Sequence, residues 1–323
     1  MRKARITDVG HYLPERVVGN DELSARYGIS VEDIVKKTGI KTRRYVEDES
    51  TADLVTLACR DLFSRSSVAV DEIDCVIVGT LTPDHFFPST AVSSINRLGA
   101  KNAWGFDLSA ACSGFTYGLT VAAGMVEQGS ARSVIVCGAD RMSKTLNSFD
   151  YRTALLFGDG AGVVLVQATD ENSNVINGSK NSVVADNLDD VFYKTPFSST
   201  DWASEKFELE GGRVYRAGVG LTIREVQAYL QSRKLKIDDF SHIIPHQSNL
   251  NMIRETAAGL GPEAVDRFGV NIRDVGNTGG ASIPICLSQF VKNGQIEQGD
   301  RVMLAGFGAG YTISIIDFTS AIA

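Results

Sequence analysis

Two glycine-rich pentapeptides, each running straight into an apolar stretch, constrain the fold of this chain more than any other feature. Gly158-Asp159-Gly160-Ala161-Gly162 feeds Val163-Val164-Leu165-Val166, and Gly306-Phe307-Gly308-Ala309-Gly310 feeds Tyr311 and an apolar run to Phe318. Before each, apolar strands alternate with helices in the same order. A repeated order that ends alike twice predicts an internal duplication, with two similar α/β halves, 1–170 and 171–323, packed face to face. The glycines do not mark a dinucleotide site. A phosphate-binding GxGxxG follows a strand and opens a helix, whereas each of these turns opens a strand. They are expected instead to let backbones approach closely at a crowded interface.

Periodicity fills in the elements. Residues 5–13 read as a first strand, and Asn20 and Ser30 as N-caps of two short helices stopping at Gly28 and Gly39. That stretch carries Lys36, Lys37, Lys41, Arg43 and Arg44, interrupts the core pattern, and is expected to lie over one end of the sheet. A helix from Thr51 sets Leu54, Leu57, Ala58 and Leu62 on one face. Strand Cys75–Gly79, a helix after Ser89, strand Trp104–Leu108 and a long helix from Cys112 to Gly129 follow, then strand 133–137. The second half gives helix 219–231, strand 243–244, helix 249–260, loop 276–280, helix 283–293 and strand 302–304.

Composition narrows the function classes. At 323 residues and 43% hydrophobic, the chain can bury a large core. A net charge of −7 argues against general nucleic-acid binding. The longest apolar runs are of strand length, far short of the ~20 residues of a membrane helix. Nor does an apolar h-region follow the basic N-terminus, so no signal peptide is expected. Five scattered cysteines without a CxxC, and four histidines without ligand spacing, predict a reduced, cytoplasmic protein with no metal and no structural disulfides. Cys59, Cys75, Cys137 and Cys286 sit in apolar patterns and are expected in the core.

Cys112 differs. In Asp107-Leu108-Ser109-Ala110-Ala111-Cys112-Ser113-Gly114-Phe115 it stands where a strand meets a long helix, flanked by small residues that leave room for a substrate. The positive end of the helix dipole is expected to lower its pKa and favour the nucleophilic thiolate. His246 follows a strand in Pro245-His246-Gln247-Ser248-Asn249, and Asn277 lies in the loop Gly276-Asn277-Thr278-Gly279-Gly280-Ala281-Ser282. Singly, a loop His or Asn is ordinary. Together they form a Cys/His/Asn set at strand ends, where α/β sites gather.

Over the whole chain these motifs, with the two glycine turns, resemble the β-ketoacyl-acyl-carrier-protein synthase III family. The resemblance implies a thiolase-like fold with five αβαβα layers, and a homodimer. It also implies acyl transfer to Cys112 from acyl-CoA or acyl-carrier protein, then decarboxylation of a malonyl thioester with His246 and Asn277 stabilising the enolate. Both thioesters are substrates, and no cofactor is implied. A second oxyanion hole would use the backbone N–H of Cys112 and of Ala309, which stands where the family has glycine. Phe87, Met142, Phe157, Asn249 and Phe307 would contact the substrate. Lys37, Tyr151, Arg152, Gly211, Arg216 and Arg254 would meet CoA or the carrier. Nearby families fit less well: there is no second Cys in GFGAG as in thiolases, no second His as in elongating ketosynthases, and no Glu in Gly79-Thr80-Leu81-Thr82 as in hydroxymethylglutaryl-CoA synthases.

The donor and carrier surfaces depart from the family. Asp33 stands at the position of an adenine-stacking Trp, and Tyr151 at that of its Arg partner. Asp33 also suits a capping partner for Ser30. Asn251, Ala258 and Gly259 replace basic carrier contacts, with Arg216, Arg224 and Arg254 as candidate substitutes. A specialised acyl donor is one implication; acyl transfer to oxygen or nitrogen without decarboxylation is the other reading.

Overall fold

The computed structural model describes residues 2–146, 150–186, 188–195, 201 and 207–322. The first part of the chain gives β1 (Lys3–Tyr12), β2 (Arg16–Gly19), α1 (Asn20–Tyr27), α2 (Val31–Thr38), β3 (Thr42–Tyr45) and α3 (Thr51–Phe63). Then come β4 (Cys75–Gly79), α4 (Thr90–Leu98), β5 (Trp104–Leu108), α5 (Gly114–Gln128), β6 (Ser133–Arg141), α6 (Tyr151–Ala154) and β7 (Asp159–Thr169). The remainder gives β8 (Ile176–Val183), β9 (Val191–Phe192), β10 (Glu208–Leu209), α7 (Gly211–Arg233), β11 (His242–Pro245), α8 (Leu250–Leu260), α9 (Ile272–Val275), α10 (Ser282–Lys292), β12 (Arg301–Gly308) and β13 (Thr312–Thr319).

The duplication is written in the sheets. One sheet has the order β1-β7-β6-β4-β5 and the other β8-β13-β12-β11. In both, the first two pairings are antiparallel and the next is parallel. The fifth strand of the second sheet is reduced to one bridge, Ile243 to Phe268. Register fixes the correspondence: Asp74 donates its N–H to Ser133 O as Ser241 does to Arg301 O, which pairs Asp140 with Gly308. Each half then has a left-handed residue, Ala111 (φ 49°) or Gly279 (φ 59°), opening a 3-10 turn ahead of a central helix. Cys112 and Gly280 are counterparts.

Five layers result. Helices α3 and α4 cover the outer face of the first sheet around Leu54, Ala58 and Val163. Helices α5 and α10 lie between the sheets, where Phe115, Leu119, Ile283 and Leu287 meet both. Helix α7 covers the second sheet through Val226 and Tyr229. The predicted stripe Phe115, Leu119, Ala122 and Val126 is buried, as are Cys59, Cys75, Cys137 and Cys286.

Several local expectations are corrected. The glycine "turn" 158–162 is mostly the start of β7, and GFGAG belongs to β12 and the short turn into β13. An extended strand suits them because the neighbouring layer presses close: a Cβ on Gly162 would lie 2.5 Å from Ile285 N in α10. Ser30 does cap α2, but α1 is preceded by Gly19. Asn20 is buried instead, donating to Ile40 O at 2.8 Å and accepting from Arg43 Nη1 at 2.8 Å. Arg43, read from its charge as part of the cap, is thus a core residue. Cys112 lies in the 3-10 turn Ala111–Ser113, one turn ahead of α5.

Candidate active site

Cys112 and His246 follow the ends of strands β5 and β11, whereas Asn277 comes from the loop after α9. Beyond β5, Ala111 takes a left-handed conformation that non-glycine residues seldom adopt, and this turns Cys112 away from the helix and towards the opposite half. His246 continues the β11 pairing, its N–H donating to Ala305 O at 2.8 Å. Asn277 is held by a parallel bridge to Phe157, with its N–H on Leu156 O at 2.8 Å and its carbonyl taking the Gly158 N–H at 2.9 Å. Cys112, His246 and Asn277 line one cavity of about 160 Å³.

The walls are mainly apolar. Met142, Phe157 and Phe307 line the cavity, as the resemblance implies, together with Gly211 and Ala309. So do Leu81, Leu156, Val191, Phe207, Leu209 and Tyr215, which sequence reasoning missed. Several come from the segment around β9 and β10, too short to show a periodicity. Phe157 and Phe207 meet edge to face with centroids 5.2 Å apart.

Polar groups in the wall are mostly committed. Asn277 Oδ1 accepts the Gly279 N–H at 3.0 Å, which leaves the Nδ2 amino group as the free end of that amide. His246 Nδ1 lies 2.7 Å from Ser282 Oγ. Behind it, buried Gln247 donates to Pro245 O and Gly269 O and accepts from the N–H groups of Asn271 and Ile272. Asn249 lines the cavity, yet its amide is spent on structure: Oδ1 caps α8 at Asn251 N, and Nδ2 donates to Lys37 O.

The expected low pKa of Cys112 is corrected. Burial, with the Asp140 carboxylate next in weight, pushes the thiol up to about 12. The residue is half-buried, with its side chain opening into the cavity, and the protein packed around the thiol makes desolvation outweigh the helix terminus. Burial likewise pushes His246 down to about 4, so the ring is neutral at ordinary pH. Asp140 was not foreseen. This carboxylate at the end of β6 takes the N–H of Leu81 at 2.6 Å and of Gly280 at 2.7 Å, and the hydroxyls of Thr80 and Thr82. It thereby ties the Asn277 loop to the first sheet. Burial raises it to about 6 against the pull of those bonds. An acidic residue closing the apolar run Val134-Ile135-Val136-Cys137 was the available signal.

Other expected residues lie outside the cavity. Phe87 is 87% exposed and does not reach its own chain's cavity. Arg152 grips Asp150 through Nε and Nη2, and Arg224 pairs with Glu225 at 2.8 Å. Arg216, Arg254 and Asp33 are exposed. The Asp33 N–H does bond to Ser30 Oγ at 3.1 Å, as its capping position predicts. Lys37 Nζ stands 5.7 Å from the centre of the exposed Tyr151 ring. Asn251 Nδ2 donates to Lys36 O and Lys37 O, so it fastens α8 to the end of α2. Among the described residues, no three His, Cys, Asp or Glu side chains are placed to hold a metal, and no helix is long and apolar enough to cross a membrane.

Comparison with known proteins gives a consistent result. Residues 106–183 match the family described as 3-oxoacyl-[acyl-carrier-protein] synthase III, and residues 230–317 its C-terminal family. The β-ketoacyl-[acyl-carrier-protein] synthase III of Clostridium tetani is 36% identical over 323 residues, covering 96% of each chain. The crystal structure of 3-oxoacyl-(acyl carrier protein) synthase III from Pseudomonas aeruginosa PAO1 superposes with a TM-score of 0.92 at 32% identity, covering 98% of both chains. That of the priming β-ketosynthase from the R1128 polyketide pathway superposes equally well, at 32% identity over 99% of this chain and 96% of the other.

Proposed function

The chain belongs to the 3-oxoacyl-[acyl-carrier-protein] synthase III family of thiolase-like condensing enzymes, and from that premise we propose the roles of its own residues. Cys112 Sγ attacks the carbonyl of an acyl thioester; the C–S bond to the donor breaks, and the donor thiol leaves with the proton the cysteine gave up. A malonyl thioester then loses carbon dioxide. The carbanion left behind attacks the acyl-Cys112 carbonyl and forms the carbon–carbon bond; the C–S bond to Cys112 breaks, and the released thiolate takes up a proton from water. The donor and the malonyl thioester are both substrates, so neither step calls for a cofactor.

The observation that carries this reading is the convergence of Cys112, His246 and Asn277, from opposite halves, on one apolar cavity. As the malonyl thioester decarboxylates, charge builds on its carbonyl oxygen, where a neutral imidazole N–H and the Asn277 amino group both donate. Such preorganised donors typically contribute about 10²–10³ in rate each. The backbone N–H groups of Cys112 and Ala309 are assigned to the acyl-cysteine oxygen. Lys37 beside Tyr151 suits an adenine and its phosphates, and exposed Arg216 and Arg254 suit an acidic carrier protein.

We place the enzyme in the cytoplasm, in keeping with five free cysteines, and assign it a homodimer. Among the described residues strand β5 is an open edge of its sheet, and Trp104 on it is 53% exposed.

The intact protein should gain the mass of the acyl group on Cys112 from at least one of a panel of acyl-CoAs and acyl-carrier proteins. The loaded enzyme should then release carbon dioxide from a malonyl thioester. Absence of any adduct sinks the nucleophile assignment. An adduct consumed by alcohols or amines, with no carbon dioxide, favours simple acyl transfer instead.

A further inference from the structure

We propose that Ser282 is a positioning residue that sets the tautomer of His246, placing the ring proton on Nε2. The inference deepens the donor role assigned to His246 and rests on it. Ser282 is the first residue of α10 and is 1% exposed. Its Oγ stands 2.7 Å from His246 Nδ1 and accepts the Gln247 backbone N–H at 3.3 Å. A hydroxyl has one hydrogen and two lone pairs. The Gln247 N–H takes one lone pair, and among the described residues Nδ1 is the acceptor found for the hydrogen. Were Nδ1 protonated, Oγ would accept twice and its own hydrogen would be stranded in a dry site, an arrangement buried polar groups avoid. The favoured pairing is therefore Oγ–H to Nδ1, which leaves the ring hydrogen on Nε2 of an imidazole that lines the cavity with Cys112 and Asn277.

The choice of a hydroxyl matters. A carboxylate at this position could only accept, so it would hold the ring hydrogen on Nδ1, the opposite tautomer, and would draw a second proton onto the ring, as charge favours charge. Serine can donate to Nδ1, and it adds no charge. The ring then stays a neutral donor, consistent with burial being the one cause that moves its pKa, downwards.

Nitrogen-15 NMR of histidine-labelled full-length protein, without substrate, reads the tautomer directly. The wild type should show Nε2 protonated and Nδ1 bare; Ser282→Ala should show a mixture, and Ser282→Thr should restore the wild-type pattern. Malonyl-thioester decarboxylation should fall roughly 10- to 100-fold in Ser282→Ala and recover in Ser282→Thr, while acyl loading of Cys112 stays as in the wild type. A wild-type spectrum with Nδ1 protonated overturns the proposal, even if Ser282→Ala does not fold. So does a Ser282→Ala spectrum and decarboxylation rate equal to the wild type's. A wild type that loads acyl groups yet releases no carbon dioxide would instead overturn the condensing reading, and leaves the spectrum to decide the tautomer.

Discussion

A thiol held near pKa 12 beside an imidazole held near 4 is not an ion pair waiting for substrate. At rest Cys112 is S–H and His246 is neutral, so Cys112 must lose its proton as the acyl donor is attacked. Alkylation of Cys112 by iodoacetamide, followed by peptide mass, should therefore keep accelerating with pH through 10. A plateau near pH 7 would mean a thiolate already formed and would contradict this account. The residue itself was legible in the sequence, because small neighbours at a strand–helix junction mark an approachable side chain. Its acidity was not. A helix terminus is worth about 0.3–1 kcal/mol, whereas full burial moves a pKa by up to about 3–5 units, and neither depth nor the Asp140 neighbour is written locally. Ser282 shows the same limit, since the partner of a loop histidine lies 36 residues away, at the start of a helix.

At the scale of elements, strand β5 has a neighbour on one side only among the described residues, and its Trp104 and Phe106 rings stack at the edge with centroids 6.0 Å apart. Exposed edges of this kind invite a second strand, and two-fold pairing closes them. Sedimentation should accordingly give twice the 34.8 kDa chain mass, and Trp104→Lys should shift the protein towards monomer. A wild-type monomer would remove the dimer from the proposal. Alternating patterns made the strands and central helices readable, down to the buried stripe of α5. The glycine segments misled for a physical reason: glycine signals a turn in an isolated chain, but in β7 it makes room for the backbone of α10. Likewise Asn20 has the chemistry of a cap, and the buried Arg43 guanidinium took it for a different use.

Over the whole molecule, Asp140 joins the two halves through a buried carboxylate whose folded pKa, about 6, lies above its usual 3.8. Between those values the folded state binds more protons than the unfolded one. The group's contribution is therefore most favourable below about pH 4 and is lost as pH rises to about 6. Asp140→Asn cannot ionise, so its melting temperature relative to wild type should climb between pH 4 and 6; a constant difference would refute the shift. The duplication gives this carboxylate a wider meaning. Its counterpart in the other half is Gly308, and the amide it holds, Gly280 N–H, corresponds to that of Cys112. A side chain on Gly308 would begin 3.0 Å from the N–H groups of Cys112 and Ser113. The fold thus carries one socket for negative oxygen in two copies. In one copy the chain plugs the socket with its own carboxylate and makes a hinge pin; in the other a missing side chain leaves it open, and the proposed reaction would bring the plug.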